Sequence, residues 1–258
     1  MKSNAIKLGK IGVVDYKIYD VIGDGNCFYR AIFHVLQEAS DEIKEDIGID
    51  GYDTSNDSDE EDAIEVMRGF IADSIKNKHP DSVEIINNAC SLANNGLLEE
   101  MTEMYPFLTP KVCRETGEAR YKLVASMIEN IKQPMYASFL EVNHIKMTLS
   151  REDGADITLL TIDTDGSVQS KKWQKDLIKL LENATTINII VLLNVTNIHY
   201  QYLSFKSSDD NEFHTIINRV QLLSLLNIGY DLSKLSINGG SKRKGKQLRL
   251  SVLSSTTP

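Results

Sequence analysis

The sequence predicts an α+β domain in which helices come first and a sheet follows. Apolar residues recur at helical spacing through the first half of the chain, in Phe28, Ala31, Ile32, Val35 and Leu36 and again over 63–75, 83–98 and 121–131. From Asp156 onward the pattern changes to short runs rich in β-branched residues, Ile157 to Ile162, Ile187 to Leu193 and Ile198 to Phe205. At 258 residues and 41% hydrophobic, the chain is long enough to bury a full core between such layers.

Taken in order, residues up to Tyr19 read as one or two strands, and a helix opening at Cys27 runs to about Ala39. Residues 50–62 form a polar, acidic loop. Its spaced aspartates suggest a calcium loop, but the required glycine is missing and the twelfth position counted from Asp53 is Ile64, so a solvated loop and helix start is the reading. Pro80, Pro106, Pro110 and Pro134 punctuate the helices that follow. Asp165-Gly166 marks a hairpin-type turn between strands. The apolar, periodic segment from Phe213 to Ile228, ended by Gly229, reads as a helix that packs on the core, an accessory binding helix being the alternative. Gly239 to Lys246 is Gly/Ser-rich and basic; it reads as disordered, a solubilising tail or a targeting signal. The expected organisation is a main domain over 1–206, a helical extension over 207–238 and a basic tail over 239–258.

Composition narrows the function. A net charge of −9 and a pI near 5.1 argue against nucleic acid and suit a ligand that presents basic groups. Three cysteines, Cys27, Cys90 and Cys113, make an odd number without a framework pattern, so a reducing compartment is expected, with Cys90 and Cys113 structural. The first residues lack the apolar stretch of a signal peptide and no segment approaches a membrane span, which predicts a cytoplasmic protein, expected to be monomeric. The abundance of Ile, Lys and Asn is common in AT-rich genomes, including those of intracellular bacteria.

The chemistry concentrates at Gly23-Asp24-Gly25-Asn26-Cys27, a glycine-rich turn that opens into a helix. A phosphate loop is a poor reading, because no lysine follows at the required spacing and no third glycine closes a dinucleotide pattern. A thiol at the first helical position is placed as a nucleophile: the positive end of the helix favours an anion, and unpaired backbone N–H groups can receive an oxyanion. A nucleophile needs a base. Of the five histidines, His34 shares the helix of Cys27, His79 precedes Pro80 in a turn, His144 sits in a helical pattern and His214 begins a late amphipathic segment. His199 follows an apolar strand and lies in a second alternating run. Period-two alternation puts Asn197, His199 and Gln201 on one face, so an amide can hold the second ring nitrogen.

These residues match a pattern. Gly23 to Ala31, followed far downstream by His199-Tyr200 on a strand, resembles the ovarian tumour (OTU) family of cysteine proteases, which remove ubiquitin from conjugates. The resemblance implies a papain-like fold, a central, mostly antiparallel sheet packed between helices, with a helix-borne Cys27 against a strand-borne His199, and a catalytic domain over 1–206. Where the family usually reads Trp-Gly-Gly before an acidic helix start, this chain has Tyr136-Ala137-Ser138 and then Glu141. Where the family often has Asp or Asn two residues after the histidine, it has Gln201. Glutamine can accept a hydrogen bond but offers no charge to an imidazolium. Gln201 ranks first for the third position and Asn197 second, while Asp20 or Asp24 could contribute from the first motif. By resemblance Asp24 shapes an oxyanion hole made by Asp24, Gly25, Asn26 and Cys27.

The activity so implied is hydrolysis of the isopeptide bond after the terminal Gly-Gly of ubiquitin, with ubiquitin, polyubiquitin chains or ubiquitin-like modifiers as partners and with neither metal nor organic cofactor. Gln201 keeps a catalytically inactive ubiquitin-binding module of the same fold as the alternative. If the source is bacterial, delivery as an effector into the host cytosol follows, because ubiquitin conjugates are eukaryotic.

Overall fold

The computed structural model describes residues 5–54, 56–132, 135–150, 157–164 and 171–226. Two strands, β1 (Ala5–Ile11) and β2 (Val14–Tyr19), precede helix α1 (Cys27–Leu36). Helices α2 (Asp41–Ile47), α3 (Asp57–Lys76), α4 (Pro80–Leu92), α5 (Leu98–Met104), α6 (Pro110–Arg114), α7 (Gly117–Glu129) and α8 (Phe139–Leu149) follow. Then come β3 (Ile157–Thr164), α9 (Lys171–Asn183), β4 (Asn188–Val195), β5 (His199–Lys206) and the two-residue strands β6 (Phe213–His214) and β7 (Ile217–Asn218).

The sheet runs β1-β2-β5-β4-β3, with β6 beside β5 and β7 beside β4. Every pairing is antiparallel except β3 with β4. Strict alternation divides it into two faces. Ile190, Leu192, Tyr200 and Tyr202 face a core made with α1, α3, α4, α7 and α8. Ile189, Val191, Leu193, Leu203 and Phe205 face a second core with Trp173, Leu177 and Leu181 of α9. A mostly antiparallel sheet between helices is the α+β arrangement that the sequence predicts.

Two expectations change. No hairpin joins β3 to its neighbour: β3 and β4 are parallel, a geometry that needs a crossover, and α9 supplies it. Asp165 and Gly166 lie outside the described residues. The segment 50–62 is a loop and helix start, as read from the sequence: Asn56 caps α3 through a bond from the Ser58 N–H, and the acidic run Asp57, Asp59, Glu60 forms the first turn, where carboxylates suit the helix dipole. The segment from Phe213 begins as β6 and β7 and turns helical only over 219–226, where Leu222 and Leu226 pack into the second core. The basic tail lies outside the described residues.

Candidate active site

Helix α1 runs through the middle of the molecule, with nine of its ten residues buried. The turn before it is built by side chains. Gly25 has a φ of 89°, a conformation natural to glycine. Asp24 Oδ1 accepts the Asn26 N–H at 2.9 Å, and Asp24 Oδ2 accepts Arg30 Nη2 at 2.7 Å. Against a burial that would raise it, the bonds from Arg30 and from the Asn26 N–H hold the Asp24 carboxyl below the usual carboxylate range. Arg30 is itself buried and also bridges Glu60 (2.8 Å) and Glu61 on α3.

Asn26 stands at the N-cap but makes no capping bond. Its Oδ1 accepts Arg68 Nε at 2.9 Å instead. The backbone N–H groups of the first turn, beginning with that of Cys27, are therefore covered by no capping side chain. The sequence places four N–H donors in an oxyanion hole, and the structure removes one of them, because the Asn26 N–H is engaged by Asp24. Asp24 is a loop-shaping residue, with its carboxylate on Asn26 and Arg30.

On the opposite wall, Thr196 and Asn197 have φ values of 54° and 62°, and the Ile198 N–H donates to Val195 O at 3.2 Å. Two consecutive positive φ values are the type I′ signature that joins antiparallel strands. Asn197 is thus a turn residue and precedes β5. Its carboxamide oxygen lies 3.4 Å from Asn194 Nδ2, so the structure does not give it the imidazole-orienting role ranked second from the sequence. The turn aims the Ile198 carbonyl at Cys27, whose Sγ lies 3.7 Å from that oxygen.

His199, the first residue of β5, faces Asp20 just beyond the end of β2. Its Nε2–H donates to Asp20 Oδ1 at 2.6 Å. Gln201 Nε2 donates to the same oxygen at 3.1 Å. Gln201 therefore touches the carboxylate and not the ring, which corrects its expected place in the triad: it steadies Asp20. With Nε2 engaged, Nδ1 is the nitrogen left for Cys27, and Gly23 lies against that edge, where an added Cβ would sit 3.4 Å from Nδ1. The bond with Cys27 holds the imidazolium up to about pKa 9, against the burial that lowers it and with further help from Asp20. A cation so stabilised beside a sulfur is what a thiolate nucleophile requires.

The other histidines have other surroundings. His34 stacks on Tyr202, His144 meets Ser74 at 3.5 Å, His79 lies 3.8 Å from Asp81 and His214 lies 2.7 Å from Asp210. Among the described residues no three His, Cys, Asp or Glu side chains are arranged to hold a metal ion, and no helix is long and apolar enough to cross a membrane.

No family model matches the chain, and no curated protein matches it. Among solved structures, an OTU domain in complex with ubiquitin is similar at a TM-score of 0.41 and 15% identity, covering 91% of this chain and 96% of that one.

Two residues escaped the sequence reading. Arg30 belongs to the first motif without a visible role, and its partners lie on α3. Arg68 carries a stronger signal, a charged residue within the apolar stripe Ile64, Met67, Ile71 and Ile75, all of them buried. Cys27 is 1% exposed, while Ile198, whose carbonyl lies beside its sulfur, is half exposed, at 50%.

Proposed function

We propose that the chain is a cysteine peptidase that hydrolyses the isopeptide bond after the terminal Gly-Gly of ubiquitin. The observation that carries the reaction class is the line Cys27, His199, Asp20 at the start of α1. The substrate class rests on the likeness of Gly23 to Ala31 and His199-Tyr200 to the OTU motifs.

The Cys27 thiolate attacks the carbonyl carbon of the terminal glycine, and the Cys27 N–H faces the oxyanion that forms. The His199 imidazolium protonates the departing lysine amine, leaving a thioester. Neutral His199 then takes a proton from water, whose oxygen attacks the thioester, and the thiolate leaves as ubiquitin is released. Asp20 supplies the charge that Gln201 lacks, which favours the enzyme over an inactive binder of the same fold. Such a thiol needs a reducing setting, the cytosol where conjugates occur, reached by delivery if the source is bacterial.

The test is incubation of wild type, Cys27→Ala and His199→Ala with ubiquitin dimers of every linkage. Cleavage by wild type alone is expected. No cleavage of these or of ubiquitin-like conjugates would overturn the reading in favour of a binder.

A further inference from the structure

We infer that Arg68, far from the thiol in sequence and wholly buried in α3, is a positioning residue that fixes the two residues before Cys27 and so aims the Cys27 N–H at the oxyanion. The inference rests on the hydrolase reading above.

Arg68 is 0% exposed, and its guanidinium reaches carbonyl or amide oxygens in three directions. Nε donates to Asn26 Oδ1 at 2.9 Å, Nη1 to Ile128 O at 2.7 Å, and Nη2 to Met135 O at 3.1 Å and to Gly25 O at 3.5 Å. The cation lies 4.5 Å from the centre of the Tyr29 ring. Glu141 is the wholly buried carboxylate that feels its charge, though burial still pushes that carboxyl up. Placing a cation here is costly unless every donor is matched, and an apolar side chain would pack α3 without that cost. The acceptors show what the cation does. Gly25 and Asn26 immediately precede the nucleophile, Ile128 lies in the last turn of α7, and Met135 lies in the segment that leads into α8.

Two effects on Cys27 follow. Gly25 C=O and Asn26 N–H belong to one peptide plane, held by Arg68 at the oxygen and by Asp24 at the hydrogen. That plane fixes the next, whose Asn26 C=O accepts the Arg30 N–H at 3.0 Å within the helix and whose Cys27 N–H consequently points out of the helix end. The second effect concerns the Asn26 side chain. An N-cap asparagine normally turns its oxygen to the N–H of the second or third helical residue, here Phe28 or Tyr29. Arg68 takes that oxygen instead at 2.9 Å, so the residue immediately before Cys27 is anchored at its side chain as well as at its amide. A residue retained only for packing would touch neither the plane nor that side chain.

The test uses the full chain as Arg68→Lys and, separately, Asn26→Ala, which removes the same Nε anchor without altering the buried cation. Steady-state hydrolysis of a fluorogenic ubiquitin substrate is measured beside the rate of Cys27 alkylation by iodoacetamide across pH. Alkylation develops no oxyanion, so it reports the thiol and His199 alone. The expected result is a kcat lower by about 10- to 100-fold with KM within about twofold, the scale of a misplaced oxyanion donor, and an unchanged alkylation profile. Folded variants with kcat within twofold of wild type, or with the alkylation profile moving together with kcat, overturn the assignment. If Arg68→Lys fails to fold, Asn26→Ala decides alone by the same criteria. A wild type without turnover overturns the hydrolase reading and this inference with it, whereas an active wild type with unaffected variants overturns this inference only.

Discussion

His199 Nε2 lies 2.6 Å from Asp20 Oδ1, although 179 positions separate the two residues in the chain. The carboxylate comes from the end of β2 and not from the strand that bears the histidine, so the charge needed by the imidazolium is supplied across the sheet. Asp20→Asn is expected to lower kcat by about 100- to 10,000-fold, the range seen when a triad carboxylate is neutralised. Gln201→Leu, which removes one hydrogen bond to that carboxylate, is expected to cost about fivefold. Steady-state kinetics of the two variants would reverse this order if Gln201 were the true orienter.

The pH profile follows from the same contacts. His199 is raised to about 9, so the imidazolium proposed to protonate the leaving amine persists through neutral pH and is lost as pH rises through about 9. Removing the Asp20 charge removes one of the causes that raise it. The alkaline limb of kcat/KM is therefore expected to move to lower pH in Asp20→Asn, and a limb that stays in place would separate it from His199.

Asn197 distinguishes a turn residue from an orienter. At a φ of 62° glycine substitutes without strain, whereas a β-branched residue is forced into the left-handed region. Asn197→Gly is expected to keep kcat and KM within about twofold of wild type, and Asn197→Val to lose about 1–2 kcal/mol in urea unfolding. A large fall in kcat for Asn197→Gly would restore Asn197 to the catalytic group.

Arg30 joins the nucleophile turn to α3 through Asp24, Glu60 and Glu61. Arg30→Met leaves Glu60 buried without its cation, a loss of about 3 kcal/mol. Chemical denaturation should show a lower midpoint in this variant, and an unchanged midpoint would mean that the carboxylates find other partners.

Legibility in the sequence tracked the range of the interactions. Helix α1, the two early strands and the strands β3, β4 and β5 could be read because each is set by local periodicity and a neighbouring turn. Helix α9 was missed because its polar positions lowered its overall hydrophobicity, although Trp173, Leu177 and Leu181 mark its buried stripe. Cys27 and His199 were legible from their local settings, a glycine turn and an alternating strand. Alternation also put Asn197 and Gln201 beside His199, but it assumes an unbroken strand, and the left-handed turn at Thr196-Asn197 breaks it. Asp20 could be named only as one option, since nothing local shows that β2 pairs with β5. Arg68 lay beyond reach for the same reason, its acceptors being 42 to 67 positions away.

The span between the two halves of the site also orders events at the ribosome. Cys27 leaves the tunnel 171 residues ahead of Ile198, whose carbonyl it meets in the finished protein. At the usual pace of synthesis the thiol waits about 10 to 30 seconds for its base. During that interval β2 has no β5 to pair with and Asp20 has no ring to hold. On the proposed mechanism the nascent chain is inactive until β5 is made, and a product that stops short of β5 carries Cys27 without its base.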